Sequence, residues 1–468
     1  MKQYDLIIVG AGPSGIFTAL ELKKLNPKVN ILMLEKGNPI TKRKCLKREA
    51  GKCASCTPCN IISGFSGAGA FSDGKLSINE HGEIGGNLIE YIGPDTFKEV
   101  LHYTDQIYLN FGADPKVYGL ENSPEFESIR RKTIQSNIRI IESGIRHLGT
   151  EKAYDIYKKI QHHLEKLKVE MLFNTPVIDF IIENNTIIGV TTEKGNYYAK
   201  KVVVGVGRDG SQWLKNLCEK YNIDTEVGAI DIGIRLECDS AITKQIDEIT
   251  YESKLVNFSK TFDDKVRTFC WNPRGEVTEE RYDNQLSLVN GHSYKDDKLK
   301  TNNTNFALLV SLKFTEPFKT PIEYGKHIAS LANMLSGGKV LVQRYGDFKR
   351  GRRTTIERLA RNNIRPTLKD AVPGDLSLVL PYRIMLDIVE TIEALDNIME
   401  GLASESTLLY GVEAKFYSNK IKVTGNFETT IKNLHVLGDG AGITRGLIQA
   451  SMNGVVFARQ LVENKNHQ

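Results

Sequence analysis

Two groups of residues in this chain have the type and spacing to do chemistry. The first is Gly10-Ala11-Gly12-Pro13-Ser14-Gly15, with Glu35 and Lys36 further along. The glycines keep the spacing G-x-G-x-x-G. Gly10 permits a tight turn, Gly12 lets backbone approach a pyrophosphate, and Gly15 lets a helix pack closely on a strand. Pro13 and Ser14 open that helix, whose free N–H groups and positive dipole end suit phosphate. Glu35 ends the next apolar strand. A carboxylate there can accept hydrogen bonds from both hydroxyls of an adenosine ribose and would repel a phosphate. The context gives the motif its weight: strand Leu6–Val9 precedes it, a helix follows, and Ile31–Leu34 leads into the acid.

The second group is Cys45, Cys53, Cys56 and Cys59, four of the seven cysteines, within fifteen residues. Three of them form C-x2-C-x2-C. Without an export signal, such clustering points to metal or redox chemistry rather than a disulfide framework. A [4Fe–4S] centre, tetrahedral zinc and plain thiols without metal are all open readings. Further along, Cys270, His292, Arg352 and Glu413 are candidates for proton transfer or substrate contact. Arg352 has the fork to clamp a substrate carboxylate. Each also has a structural reading, since a single His or Cys more often serves packing.

These groups need elements to position them. Gly64-Phe65-Ser66-Gly67-Ala68-Gly69-Ala70-Phe71-Ser72-Asp73-Gly74-Lys75 is too small-residued to build a core, and its backbone can lie flat against a large ligand. Gly67, Ala68, Gly69, Ser72, Asp73 and Gly74 are taken as contacts to a flavin dinucleotide. Tyr154–Lys168 has helical apolar spacing. A meander follows: Val177–Ile182, Thr186–Thr192 and Asn196–Lys200, with Val177 counted as a cofactor contact. It feeds the strand Val202–Val206 and Gly207. Gly205–Gly210 repeats G-x-G-x-x-G and would suit NAD(P)H, a transient electron donor. The preferred reading returns this strand to the first sheet, beside the first nucleotide. Near the end, Leu434–Leu437 leads into Gly438-Asp439, with Gly442, Gly446 and a helix from Leu447. Asp439 suits ribityl hydroxyls, and the helix N-terminus suits an anionic reduced flavin ring.

The expected fold is α/β. A Rossmann-like FAD-binding domain with a β-meander insertion (residues 1–95, 150–225 and 430–468) interleaves with an α+β substrate domain (226–429). A helical insertion covers 96–149, and Asn302 and Asn303 are placed in a polar loop. The chain has 468 residues and a net charge of only +5, which does not argue for nucleic acid. No apolar run approaches a membrane span. With no room for a signal peptide, a cytoplasmic protein is expected. The basic run Lys349-Arg350-Gly351-Arg352-Arg353 reads as a solvated loop or as a phosphate or carboxylate holder.

With Gly10–Gly15, Glu35, Gly207 and Gly438-Asp439 in this order, the chain resembles the glutathione-reductase-type FAD superfamily. More narrowly it is similar to a bacterial family of uncharacterised FAD-dependent dehydrogenases. Gly64–Leu76, Arg267-Thr268-Phe269-Cys270, Val289-Asn290-Gly291, Gly346-Asp347-Phe348 with Gly351-Arg352, and Leu409-Tyr410-Gly411-Val412-Glu413 carry that likeness. Two stretches depart from it. Trp271-Asn272-Pro273 lacks a second cysteine, and Ala414–Ser418 replaces an Arg-Thr-Ser-Ser-Pro-like segment. The resemblance implies an FAD-dependent oxidoreductase that passes hydride or electrons between a small organic substrate and a second carrier, with an electron-carrier protein as partner if iron–sulfur is present. The rival readings are an O2-using aromatic hydroxylase and a binding protein that keeps the fold without redox work.

Overall fold

The computed structural model describes residues 3–45, 56–71, 74–119, 123–226, 230–250, 253–282, 286–294, 297–312, 314, 318, 320–416 and 420–463. In chain order the elements used below are β1 (Gln3–Val9), α1 (Pro13–Leu25), β2 (Ile31–Leu34), β3 (Lys75–Ile78), α2 (Pro94–Asn110), β4 (Ile138–Ile140), β5 (Gly144–His147), α3 (Thr150–Lys166), β6 (Glu170–Leu172), β7 (Val177–Glu183), β8 (Thr186–Thr192), β9 (Gly195–Val204) and α4 (Ser211–Lys220). They continue with β10 (Ile230–Asp239), β11 (Leu255–Phe258), β12 (Lys265–Asn272), β13 (Glu276–Tyr282), β14 (Leu286–His292), β15 (Asn303–Leu312), α5 (Pro321–Ser336), β16 (Leu341–Arg344), β17 (Val372–Pro373), α6 (Tyr382–Asp396), β18 (Leu408–Phe416), β19 (Leu434–Val436) and α7 (Leu447–Glu463).

The chain divides into two units. Unit one takes residues 1–117, 143–228 and 418–468, and unit two takes 118–142 and 229–417. The expected insertion at 96–149 is therefore not a unit of its own. Its first helix, α2, packs against α7 through Tyr108, whereas β4 joins the sheet of unit two. The N- and C-terminal stretches of unit one also reach further inward than expected.

Unit one is the α/β, Rossmann-like part. Its seven-stranded sheet runs β6-β2-β1-β9-β8-β7, with β19 also paired to β9. β2, β1, β9 and β19 are parallel, whereas β9, β8 and β7 form the antiparallel meander. The expected break between Asn196–Lys200 and Val202–Val206 does not occur. β9 is one strand whose start pairs with β8 and whose end pairs with β1. No turn residue separates Lys200 from Val202, so the backbone has no cause to leave the ladder. β1 and β2 are covered on both faces, which is why Ile7, Ile8, Ile31, Leu32 and Met33 read as continuous apolar runs. α1 and α7 cross in close contact at Gly454, where an added Cβ would lie 2.2 Å from Ser14 O and 2.8 Å from Thr18 N.

Unit two is α+β. Its eight-stranded sheet runs β17-β16-β18-β10-β15-β12-β11-β4, and β13 and β14 form a separate hairpin. Asn303 opens β15 opposite Asp239 and is buried, correcting its placement in a polar loop. It donates through Nδ2 to Glu237 Oε1 (3.0 Å), a bond that justifies its burial. α6 is held on unit two by Asn257 Nδ2 donating to Thr391 Oγ1 (2.9 Å) and Thr261 N donating to Glu390 (3.1 Å). On the same helix Asp387 is fully buried. Burial, reinforced by the charge of Asp264 and opposed by Ser259, pushes its carboxyl up to about 6. A raised carboxyl binds its proton in the folded state, so its contribution is favourable below the unfolded value and is lost as pH rises through about 6. Asp387→Asn is expected to be more stable than wild type at pH 8 by on the order of 2 kcal/mol. The difference should close by about pH 4. Urea unfolding at both pH values checks this; an equal effect at both would reject it.

No helix among the described residues is long and apolar enough to cross a membrane.

Candidate functional site

In unit one the three glycine-rich turns meet at the carboxyl ends of the parallel strands. Gly10 has φ +100°, and an added Cβ would lie 2.9 Å from Gly205 O, so only glycine serves there. Gly12 caps α1 and Pro13 fills its first position. A Cβ on Gly15 would meet Gly10 O at 2.2 Å and Ile8 Cγ2 at 2.9 Å, the close helix–strand contact expected of it. Ser14 Oγ donates to Gly205 O (3.4 Å), and a Cβ on Gly438 would lie 3.0 Å from that same hydroxyl. Gly205–Gly210 therefore belongs to the sheet and turns of the first motif.

Glu35 is buried and accepts three backbone N–H bonds. Ala11 donates to Oε2 (2.8 Å), while Gly37 (2.8 Å) and Gly64 (2.9 Å) donate to Oε1. It stitches the first turn to the glycine-rich run. Lys36 pairs instead with Asp209, which also accepts from Ser63 Oγ (3.0 Å). Gly67, at φ +55°, lies against the first turn, with Ser66 N donating to Ala11 O (2.8 Å). Ala68 is exposed. Gly69 packs on Tyr157 Oη and Leu447. Tyr157, Tyr108 and Ser451 form a buried hydroxyl chain with 2.9 Å steps, and burial pushes the Tyr108 phenol up to about 12. Gly74 packs on Leu148, a structural role. Ser72, Asp73 and Cys53 lie outside the described residues. Val177 is buried at the start of β7, opposite Thr192.

At the third turn Gly438 has φ +80°, Gly442 +74° and Gly446 +92°. Asp439 accepts from Thr444 Oγ1 (2.8 Å) and Gly446 N (3.2 Å). Burial pushes its carboxyl above the usual range against those two bonds. The segment Gly85-Gly86-Asn87 runs beside this turn, with Asn87 N donating to Ile443 O (3.0 Å). Sequence reasoning missed it; the paired glycines were the available signal.

Arg43 holds the segment that follows Cys59. Arg43 is buried. It donates to the carbonyls of Asn60 (2.9 Å), Ile61 (2.7 Å) and Phe65 (2.6 Å) and to Ser66 Oγ (2.9 Å). These acceptors explain its burial. Burial, against the charges of Glu35 and Cys59, lowers the guanidinium to about 10. Cys45, Cys56 and Cys59 carry free thiols, and no group of three metal-ligating side chains occurs among the described residues.

In unit two, Cys270 and Glu413 are brought together, while His292 and Arg352 are not. Glu413 and Arg235 are both fully buried and form a bidentate pair, Nε–Oε2 2.8 Å and Nη2–Oε1 3.0 Å. Burial works against the Arg235 charge, but Glu413 more than offsets it and raises the guanidinium above its ordinary value. Arg235 Nη1 donates to Cys270 O (3.1 Å) and Asn305 Oδ1 (2.9 Å). Cys270 sits at a bulge of β12 with φ +47°, and Asn272 Nδ2 also donates to its carbonyl (2.8 Å). Asn305 is fully buried, and its Nδ2 has no acceptor among the described residues. Lys415 Nζ lies 3.2 Å from Glu413 Oε1. His292 is exposed at the end of β14, against the Tyr294 ring. Arg352 donates from Nε to Asp347 (2.7 Å). Glu413 is thus held as an ion-pair partner rather than as a free acid, and Arg235 is the residue sequence reasoning missed.

Residues 229–416 match the family described as FAD-dependent protein, C-terminal domain-like. A Clostridium beijerinckii protein, named only as uncharacterized, is 25% identical over 485 residues, covering 98% of this chain and 80% of that one. A D-amino acid dehydrogenase of Helicobacter pylori is 28% identical over 122 residues, 26% of this chain and 27% of that protein. Among solved structures, L-proline dehydrogenase from P. horikoshii aligns over 99% of this chain and 94% of its own, with 11% identity and a TM-score of 0.38.

Proposed function

We propose that this FAD-dependent oxidoreductase holds FAD across the three glycine turns of unit one, in the glutathione-reductase manner, and exchanges electrons between a small organic substrate and a second carrier. The observation carrying the reading is where glycine is kept without internal need. A Cβ on Gly12 would come no closer than 3.7 Å to any atom, and one on Gly207 would meet nothing within 4 Å. Packing does not demand glycine at either place, whereas close approach of a pyrophosphate does. When bound, FAD supplies a two-electron sink and source for hydride.

The chain's own groups do the rest. The N–H groups at the start of α1 offset phosphate charge. Glu35, fixed by three N–H donors, is the acceptor for ribose hydroxyls. Asp439 and the first turn of α7 face the ribityl and ring end. Ala68 and Gly67 give a flat wall. In unit two Cys270 is the proposed proton-holding group toward substrate, its backbone fixed by Arg235 and Asn272. The name of the Helicobacter relative supports an amino acid as the first substrate class to try.

Purified protein is expected to be yellow, to retain one FAD, and to be reduced anaerobically by some member of a D- and L-amino acid panel or by NADH or NADPH. Protein that purifies colourless and does not take up added FAD would sink the reading. Gly12→Val tests the site itself: the chain should fold with unchanged melting temperature, yet bind FAD at least ~100-fold more weakly.

The spacing of the cysteines supports a second element, a [4Fe–4S] centre on Cys45, Cys53, Cys56 and Cys59 that would let electrons leave singly to a carrier protein. Iron and acid-labile sulfide on anaerobically purified protein test it. Zinc in place of iron, or no metal at all, would remove it.

A further inference from the structure

We propose that Arg344, Arg352 and Arg358 of unit two form a binding site for a small doubly charged oxyanion, a phosphate or a dicarboxylate. The hub is Asp347, whose side chain is fully buried. Arg352 Nε lies 2.7 Å from it, Arg358 Nη1 3.6 Å and Arg344 Nη1 3.7 Å, and Thr354 Oγ1 donates to it at 2.8 Å. Burial works against the Asp347 charge, but Arg352, Thr354 and Arg344 hold the carboxyl below its usual range. The neighbouring Arg350 pairs with Glu405, whose carboxyl Arg344 and Arg352 also lower after Arg350 itself.

Four guanidinium groups therefore face Asp347 and Glu405, a surplus of two over those carboxylates, and the next acid, Asp375, stands beyond Gln343, accepting from its Nε2 (3.3 Å). Long like-charged side chains drift apart in water unless something fixes them. Here they are fixed. Arg344 Nε donates to Asn362 Oδ1 (2.9 Å), Arg358 Nη1 donates to Arg353 O (2.9 Å), and Arg352 Nε donates to Asp347 Oδ1 (2.7 Å). The Arg344 side chain is only 13% exposed, so its charge is poorly screened by solvent. The terminal nitrogens of Arg352, and Nη2 of Arg344 and Arg358, donate no hydrogen bond to any described residue. Fixed, partly desolvated guanidinium forks with open N–H groups match the oxygens of a phosphate or carboxylate. A surplus of two charges selects a dianion over a monoanion. The site lies wholly within unit two and does not depend on the flavin reading.

The test uses the full chain as purified. Its melting temperature is followed against sodium phosphate, sodium succinate and sodium chloride at matched ionic strength. The same is done for Arg358→Gln and Arg358→Lys, and flavin content is recorded on every sample. Wild type is expected to show a saturable rise with phosphate or with succinate, absent with chloride, and the anion that saturates names the class. Arg358→Gln should bind it ~10-fold more weakly or worse, and Arg358→Lys should fall between. Arg358 is chosen because its contact to Asp347 is long, so the fold does not lean on it as it does on Arg352. A rise equal in all three salts, or an Arg358→Gln titration identical to wild type, would overturn the site. Flavin content should be the same in all three proteins, so this failure and a failure of the flavin reading are told apart.

Discussion

Glu413→Gln should destabilise unit two by about 3–5 kcal/mol, enough to unfold a marginal domain. Arg235 and Glu413 are both fully buried, and every donor of the guanidinium has a protein acceptor. Removing the carboxylate leaves a buried cation whose nearest remaining acceptors are neutral, and Lys415 keeps only its longer pair with Glu280 (3.7 Å). The double replacement Arg235→Met with Glu413→Leu removes both charges and should recover most of the loss, because apolar pairs of similar volume replace buried ion pairs at little cost. Urea unfolding of the three proteins checks the order wild type, double, single. A second readout separates positioning from bulk stability. The double variant frees the Cys270 carbonyl from Arg235, so its Cys270 alkylation rate should change even where the protein stays folded. A Glu413→Gln protein as stable as wild type would show that the pair does not carry the charge balance of this sheet.

Gly454→Val should be equally severe in unit one, by a different route. Its Cβ would lie 2.2 Å from Ser14 O and 2.8 Å from Thr18 N, both backbone atoms of α1. Neither can swing aside, so α1 and α7 must part. A better helix former normally gains up to about 1 kcal/mol over glycine. Overpacking of this kind costs about 1–3 kcal/mol or more, and separation of a principal helix pair adds to it. Because Ser14 also contacts Gly205 and Gly438, the three glycine turns should lose their register. The expected result is low soluble yield, a lower melting temperature and no bound flavin. Gly12→Val is its counterpart, folded but without flavin. If Gly454→Val keeps both its fold and its flavin, the helices are not in the contact described.

What was legible in the sequence was what local chemistry encodes. The strand–turn–helix of Gly10–Gly15, the meander and Gly438-Asp439 each carry turn residues at fixed offsets, and all fall where expected. β10 was legible as a strand but not as a site. It is buried along almost its whole length, so Arg235 and Glu237 break no alternation and are marked only by being charged in an apolar run. The bond from Arg235 to Glu413 spans 178 positions, and no local pattern reports such a partner. The same holds for Arg43, whose four acceptors lie 17 to 23 positions along the chain. His292 and Arg352 were read from residue type and from the motifs around them, and neither says which way a side chain points.

The order of the strands in the first sheet also sets a clock. β19 completes the parallel core beside β9, yet about 230 residues separate the two. At a synthesis rate of roughly 5–20 residues per second, β9 waits on the order of 10–50 s for that neighbour. During that interval the edge of β9 that β19 will cover, and the face of α1 that Gly454 will meet, stand open to other chains. A nascent chain stalled before residue 430 should therefore be a client for chaperones, and flavin capture should be among the last events of its synthesis.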